Sequence, residues 1–186
     1  VRGVAPVRTV QPVTKTVSHT GHAFEVEDDD HCETPAEAYE HIAPLLEWLA
    51  EALGKTPETL QIYDPYFCDG AVVRNLNSLG FMDVYNKNED FYKVEKEGRC
   101  PPHDVIVTNP PYSADHIPKI LSMCARSGRP WLILVPNYFY TKPYYEECLT
   151  QPAGTLRPFY LAPDERYYYW TPEGHRENET RAKTSP

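Results

Sequence analysis

Apolar and polar positions change period several times along the chain, and the changes mark out its elements. Ile42, Leu45, Leu46, Leu49 and Leu53 recur at three- and four-residue steps, the spacing of one helix face. Thr34 and Glu37 ahead of them have the spacing of a capping box, and Pro35 suits a first turn. Gly54 stands where that helix should stop, and Pro44 inside the pattern predicts a kink. A short apolar run at 60–63 predicts a strand, ending in Asp64-Pro-Tyr-Phe-Cys-Asp-Gly70. Ala71–Leu79 reads as a short helix closed by Gly80. Further strands are predicted at 82–85, 104–108 and 131–135, with a helix over 116–125. Strands alternating with helices predict an α/β fold, a Rossmann-like, doubly wound, mostly parallel sheet.

Both ends fall outside this pattern. Residues 1–24 carry Arg2, Arg8 and Lys15 but no acid, and show no helical period. They predict an extended arm (1–30), followed by a domain over 31–170 and a polar tail over 171–186. Such a start suits an organelle import remnant as well as a simple chain boundary, so both a mitochondrial and a cytoplasmic setting are expected. Charge then flips, with eight acids between Glu25 and Glu40.

Over 186 residues, 18 Lys and Arg face 27 Asp and Glu, a net charge of -9. That balance opposes unaided binding to a long phosphate backbone. No run of ~18 apolar residues predicts a membrane span. The five cysteines are scattered, with no CxxC pair, so neither a disulfide framework nor a zinc site is expected. His31 and Cys32 beside Asp28–Asp30 match no metal-ligand spacing, and no metal is expected.

The sharpest chemistry is Asn109-Pro110-Pro111-Tyr112, directly after the predicted strand Asp104–Thr108. Ligands bind beyond the carboxyl ends of strands in open α/β sheets. Two prolines stiffen the turn and remove backbone donors. The Asn109 oxygen and the Pro110 carbonyl can then both accept from one NH2 group, while Tyr112 offers a flat face for stacking. The pattern suits a planar amine or amide held with its lone pair toward an electrophile.

With these residues the chain resembles the class I S-adenosylmethionine-dependent methyltransferases, in the branch that modifies adenine N6 or glutamine amides. The resemblance spans about Glu33 to Pro136. It implies S-adenosylmethionine as cofactor and direct transfer without metal or covalent intermediate. Asn109, Pro110 and Tyr112 would form the catalytic box, with Tyr138 or Phe139 beside the target. Glu33-Thr34-Pro35 resembles the first cofactor box, with Thr34 near the methionine carboxylate. Asp64, Tyr66 and Gly70 fall on the loop after the first strand, with Asp64 holding the methionine amine. Asp90 and Phe91 resemble the acid-aromatic pair that binds the cofactor adenine. Asn109 comes only 39 positions after Gly70, so one strand-helix unit is expected to be missing or reduced to a loop. The acid that normally holds the ribose has no clear equivalent, and Asn86 or Asn88 stands nearest.

Two functions follow from the resemblance. One is an active methyltransferase, most simply on adenine N6 of RNA or DNA, with a protein amide as the other target. The other is a degenerate methyltransferase fold serving as a structural subunit, its arms ordered on protein partners. An open pocket beside Gly70, faced by Asp64 and Asp90, would favour the first.

Overall fold

A computed structural model describes residues 32–151, 154–155 and 157–167. The predicted arm (1–30), His31, the aromatic run after Tyr167 and the predicted tail (171–186) lie outside the described residues. The order of elements is α1 (Ala36–Ala52), β1 (Ile62–Tyr63), α2 (Ala71–Ser78), β2 (Val84–Tyr85), α3 (Phe91–Lys96), β3 (Val105–Thr108), α4 (His116–Ser127), β4 (Trp131–Ile133) and α5 (Pro143–Leu149). Single 3-10 turns lie at Pro57–Thr59 and Phe139–Thr141, and a small antiparallel pair, β5 (Thr150–Gln151) with β6 (Gly154–Thr155), follows α5.

The main sheet has four strands in the order β2-β1-β3-β4, and every neighbouring pair is parallel. Ile62 pairs with Val84 on one side and Val105 on the other, while Ile106 pairs with Trp131. This is an α/β fold, a parallel sheet with helices packed on both faces. The two-residue side-chain alternation of a strand divides the core. Ile62, Val105 and Val107 pack on one face with Leu46 and Ala50 of α1 and Leu76 of α2. Tyr63 and Ile106 pack on the other with Phe91 of α3 and Ile120, Met123 and Cys124 of α4. The central strands β1 and β3 are buried throughout, and the edge strands β2 and β4 only half so.

Several elements depart from the sequence expectation. α1 runs through Pro44 as one helix. Pro44 points to solvent, where water can take the carbonyl that its missing N–H leaves unpaired. The buried stripe of α1 is Tyr39, Ala43, Leu46 and Ala50, while Leu53 ends nearly half exposed. Thr34 does not cap α1: Pro35 holds that position, and no side chain bonds to the first turn. α2 closes as expected at Gly80, whose φ of +94° disfavours any side chain. Phe81 N then bonds Leu76 O at 3.1 Å, and both side chains are fully buried. α3 and α5 were not among the predicted elements. α3 occupies the stretch where a further strand would have to lie, so β2 remains the edge of the sheet.

Candidate functional site

From β1 the chain winds outward to β2, then returns to lay β3 on the opposite side of β1. The carboxyl ends of β1 and β3 therefore flank the switch point of the sheet, the usual ligand crevice of such folds. Asp64 leaves β1 and Asn109 leaves β3 at this point, each followed by proline. Each side chain is held by its own short set of hydrogen bonds. Thr108 Oγ1 donates to Asp64 Oδ1 at 2.6 Å, and Tyr66 N donates to the same oxygen at 3.1 Å. Asn109 Nδ2 donates to Thr34 Oγ1 at 3.0 Å, and Tyr112 OH donates to Asn109 Oδ1 at 2.8 Å.

Thr34 is thus a buried strut between the segment before α1 and the Asn109 turn. The sequence marks the same hydroxyl as a helix cap, but a partner 75 residues away takes it instead. Asp64 is only 6% exposed. Burial pushes its carboxyl up to about 7, and the charge of Glu33 adds to the rise, while the Thr108 and Tyr66 bonds oppose it. Asn86, just past β2, donates from Nδ2 to the carbonyls of Asp64 and Tyr66 at 3.1 and 3.2 Å. Its Oδ1 is buried and has no hydrogen-bond partner.

Around these groups lies a small cleft, whose enclosed space is about 30 Å³. Thr34, Asp64, Tyr66, Gly70, Asn86 and Asn109 line it. Gly70 is needed for its backbone, φ +74°, rather than for space, since an added Cβ would make ordinary contact with Phe67 at 3.6 Å. Cys32, Tyr39, Cys68 and Val72, none of them among the candidates from sequence, and Glu33 of the first box triplet complete the described lining. Burial pushes the Cys68 thiol and the Tyr39 phenol well above their ordinary ranges, so both stay protonated at neutral pH.

The remaining candidates lie elsewhere. Asp90 and Phe91 do not line the cavity. Asp90 Oδ1 accepts from Tyr92 N at 3.0 Å and Lys93 N at 3.3 Å, capping α3. Phe91 is buried against Tyr66, Tyr63 and Ile106. A six-residue helix needs both a cap and an apolar anchor, and it takes them from the pair matched to adenine binding. Pro110 is buried in the turn. Tyr112 packs among Ile117, Leu121, Phe139 and Tyr145, and its hydroxyl reaches the site. Phe139 is buried in the same cluster, while Tyr138 stays exposed with Lys142 over its ring at 5.2 Å.

Among the described residues no group of three His, Cys, Asp or Glu could hold a metal ion, and no helix is long and apolar enough to cross a membrane. No family model, curated protein or solved structure matches the chain.

The residues present fit part of S-adenosylmethionine. Asp64 offers a buried carboxyl for an amine, and Asn86 Oδ1 is an acceptor in need of a donor, such as a ribose hydroxyl. Asp90 and Phe91, the pair matched to the adenine ring, are not at the cavity. The enclosed space is only about 30 Å³, room for a water or two, so a nucleoside-sized ligand would require the cleft to widen.

Proposed function

We propose that the chain is a class I methyltransferase-type protein whose cleft binds S-adenosylmethionine and presents a planar NH2 group, most simply adenine N6 of RNA or DNA. One observation carries this reading: Asp64 and the Asn109-Pro110-Pro111-Tyr112 turn converge at the switch point of a parallel sheet. When bound, the cofactor supplies an electrophilic methyl group. Asp64 would ionise to hold its amine, and Asn86 Oδ1 would accept from a ribose hydroxyl. Asn109 Oδ1 already accepts one bond from Tyr112 and keeps a second lone pair for the target NH2. The Pro110 carbonyl is the second acceptor of the pair. Thr34 and Tyr112 act as positioning residues, fixing the Asn109 amide from both ends. The proton displaced from nitrogen leaves to solvent.

A second reading, a methyltransferase-type fold kept as a structural subunit, is favoured by the loss of Asp90 and Phe91 to α3 and by the small cavity. Calorimetric titration with S-adenosylmethionine and with S-adenosylhomocysteine separates the two. Micromolar binding that Asp64→Ala abolishes supports the methyltransferase reading. Methyl transfer to adenine-containing single strands, absent in Asn109→Ala, would then fix the substrate class. A folded chain that binds neither molecule selects the structural reading.

A further inference from the structure

Glu33 does something at this cleft that its position before α1 does not require. α2 starts at Gly70, which has no side chain with which to cap it. The first N–H groups of a helix lack intrahelical partners and attract an anion. Here the protein supplies its own: Glu33 Oε1 accepts from Asp69 N at 2.7 Å and from Ala71 N at 3.3 Å. The residue therefore occupies the seat that a phosphate or a ligand carboxylate would take in a loop of this shape.

The rest of the wall carries the same sign. Among the described residues, Glu33 and Asp64 are its charged ones, and no Lys, Arg or His lines the cavity. Asn86 spends its amide on two carbonyls, leaving a buried oxygen without a partner. Thr108 and Tyr66 both donate to Oδ1 of Asp64, and neither reaches Oδ2. Burial pushes both carboxyls up, and Arg74 is the cation that offsets Glu33. Arg74 itself reaches the Asp69 carbonyl at 3.4 Å.

We propose that Glu33 is a charge filter: its carboxylate closes the anion seat at α2 and, with Asp64, makes the cleft prefer a cationic ligand to a neutral or anionic one of similar shape. The filter rests on the methyltransferase reading, and it adds a direction to it. S-adenosylmethionine carries a sulfonium charge that S-adenosylhomocysteine has lost, so the cleft favours the loaded cofactor and releases the spent one. Nucleoside triphosphates and dinucleotides, whose phosphates need the seat Glu33 fills, are excluded.

The test is calorimetric titration of the wild-type chain and Glu33→Gln with S-adenosylmethionine, S-adenosylhomocysteine, ATP and NAD. Glutamine keeps an oxygen for Asp69 N and Ala71 N while removing the charge, and thermal melting by circular dichroism confirms that the variant folds. Wild type should prefer S-adenosylmethionine to S-adenosylhomocysteine by about tenfold, the scale of one partly desolvated charge interaction. In Glu33→Gln the ratio should fall to about threefold or less, mainly through weaker binding of the charged form. An unchanged ratio in the variant overturns the filter alone, as does wild-type binding of ATP or NAD as tight as that of S-adenosylmethionine. Wild type binding neither S-adenosyl compound overturns the methyltransferase reading, and the filter falls with it.

Discussion

The carboxyl ends of β1 and β3 and the carboxyl end of β2 lie on the same edge of the sheet, yet they treat their polar residues differently. At β1 and β3 the strands are central and fully buried, and a proline follows the functional residue within one position. Asp64 and Asn109 have little freedom to turn away, and partners 44 and 75 residues distant hold them toward the cavity. β2 is a two-residue, half-buried edge strand. Beyond Asn86 it runs into a short loop, and local structure wins there, with α3 taking Asp90 as its cap and Phe91 as its anchor. Side chains stay available to a ligand where the fold leaves no competing local use for them.

The strongest way to break this contrast is Phe91→Ala. Phe91 is 4% exposed and packs against Tyr66 at a ring distance of 5.3 Å. Its removal should cost about 3–5 kcal/mol of stability by chemical denaturation. At concentrations where the variant is folded, its affinity for S-adenosylmethionine should equal that of wild type. A stable variant with affinity lowered more than tenfold would move Phe91 into the site and end the contrast.

Asp64 should show the opposite behaviour, through its proton. Its buried carboxyl titrates at about 7 in the folded chain, well above its ordinary value of about 4 in the unfolded one. The folded state then binds the extra proton, so this contribution is complete below about pH 4 and is lost as pH rises through about 7. Up to about 4 kcal/mol of stability should disappear over that window, and Asp64→Asn should flatten the curve. An ammonium ligand reverses the preference by favouring the charged carboxylate. Binding of S-adenosylmethionine at pH 6 should therefore release close to one proton, read by calorimetry in buffers of different ionisation enthalpy. Glu33 also faces the cavity with a raised carboxyl and adds release of the same sign. Asp64→Asn should remove most of the release, and no change in that variant would take Asp64 out of the ligand site.

The same contrast decides what the sequence makes legible. The strands at 60–63, 82–85, 104–108 and 131–135 announce themselves as apolar runs, and the structure holds a shorter strand inside each. α1, α2 and α4 carry enough turns for their spacing to be read. α3 spans only six residues, too few for a helical period, and its cap resembles a functional acid. α5 hides among clustered tyrosines that read as a core or target pocket. Length alone bounds what lies between Gly70 and Asn109, because a crossover needs a minimum of chain, and the structure fits α2, β2, α3 and β3 there. Glu33 stands in the triplet that resembles the first cofactor box, but its partners lie 36 and 38 residues away. Only the folded arrangement joins a carboxylate before one helix to the start of another. Thr34 illustrates the reverse case, since a capping box is a local pattern and a distant amide outcompeted it.

Asp90 gives the smallest effect and the finest test of the contrast. Its Oδ1 serves two backbone N–H groups of α3, and Lys93 and Lys96 complement the other end of that helix. Asp90→Ala should cost about 1 kcal/mol, the usual value of a lost cap. Asp90→Asn keeps an oxygen for the cap while deleting the charge, so it should recover nearly all of that loss. Neither variant should change affinity for S-adenosylmethionine. The asparagine variant is the more telling of the two, because it separates the role of the oxygen from the role of the charge. If it kept its stability and lost affinity, the carboxylate would be serving a ligand as well as the helix. The β2 edge would then belong to the site on the same terms as β1 and β3.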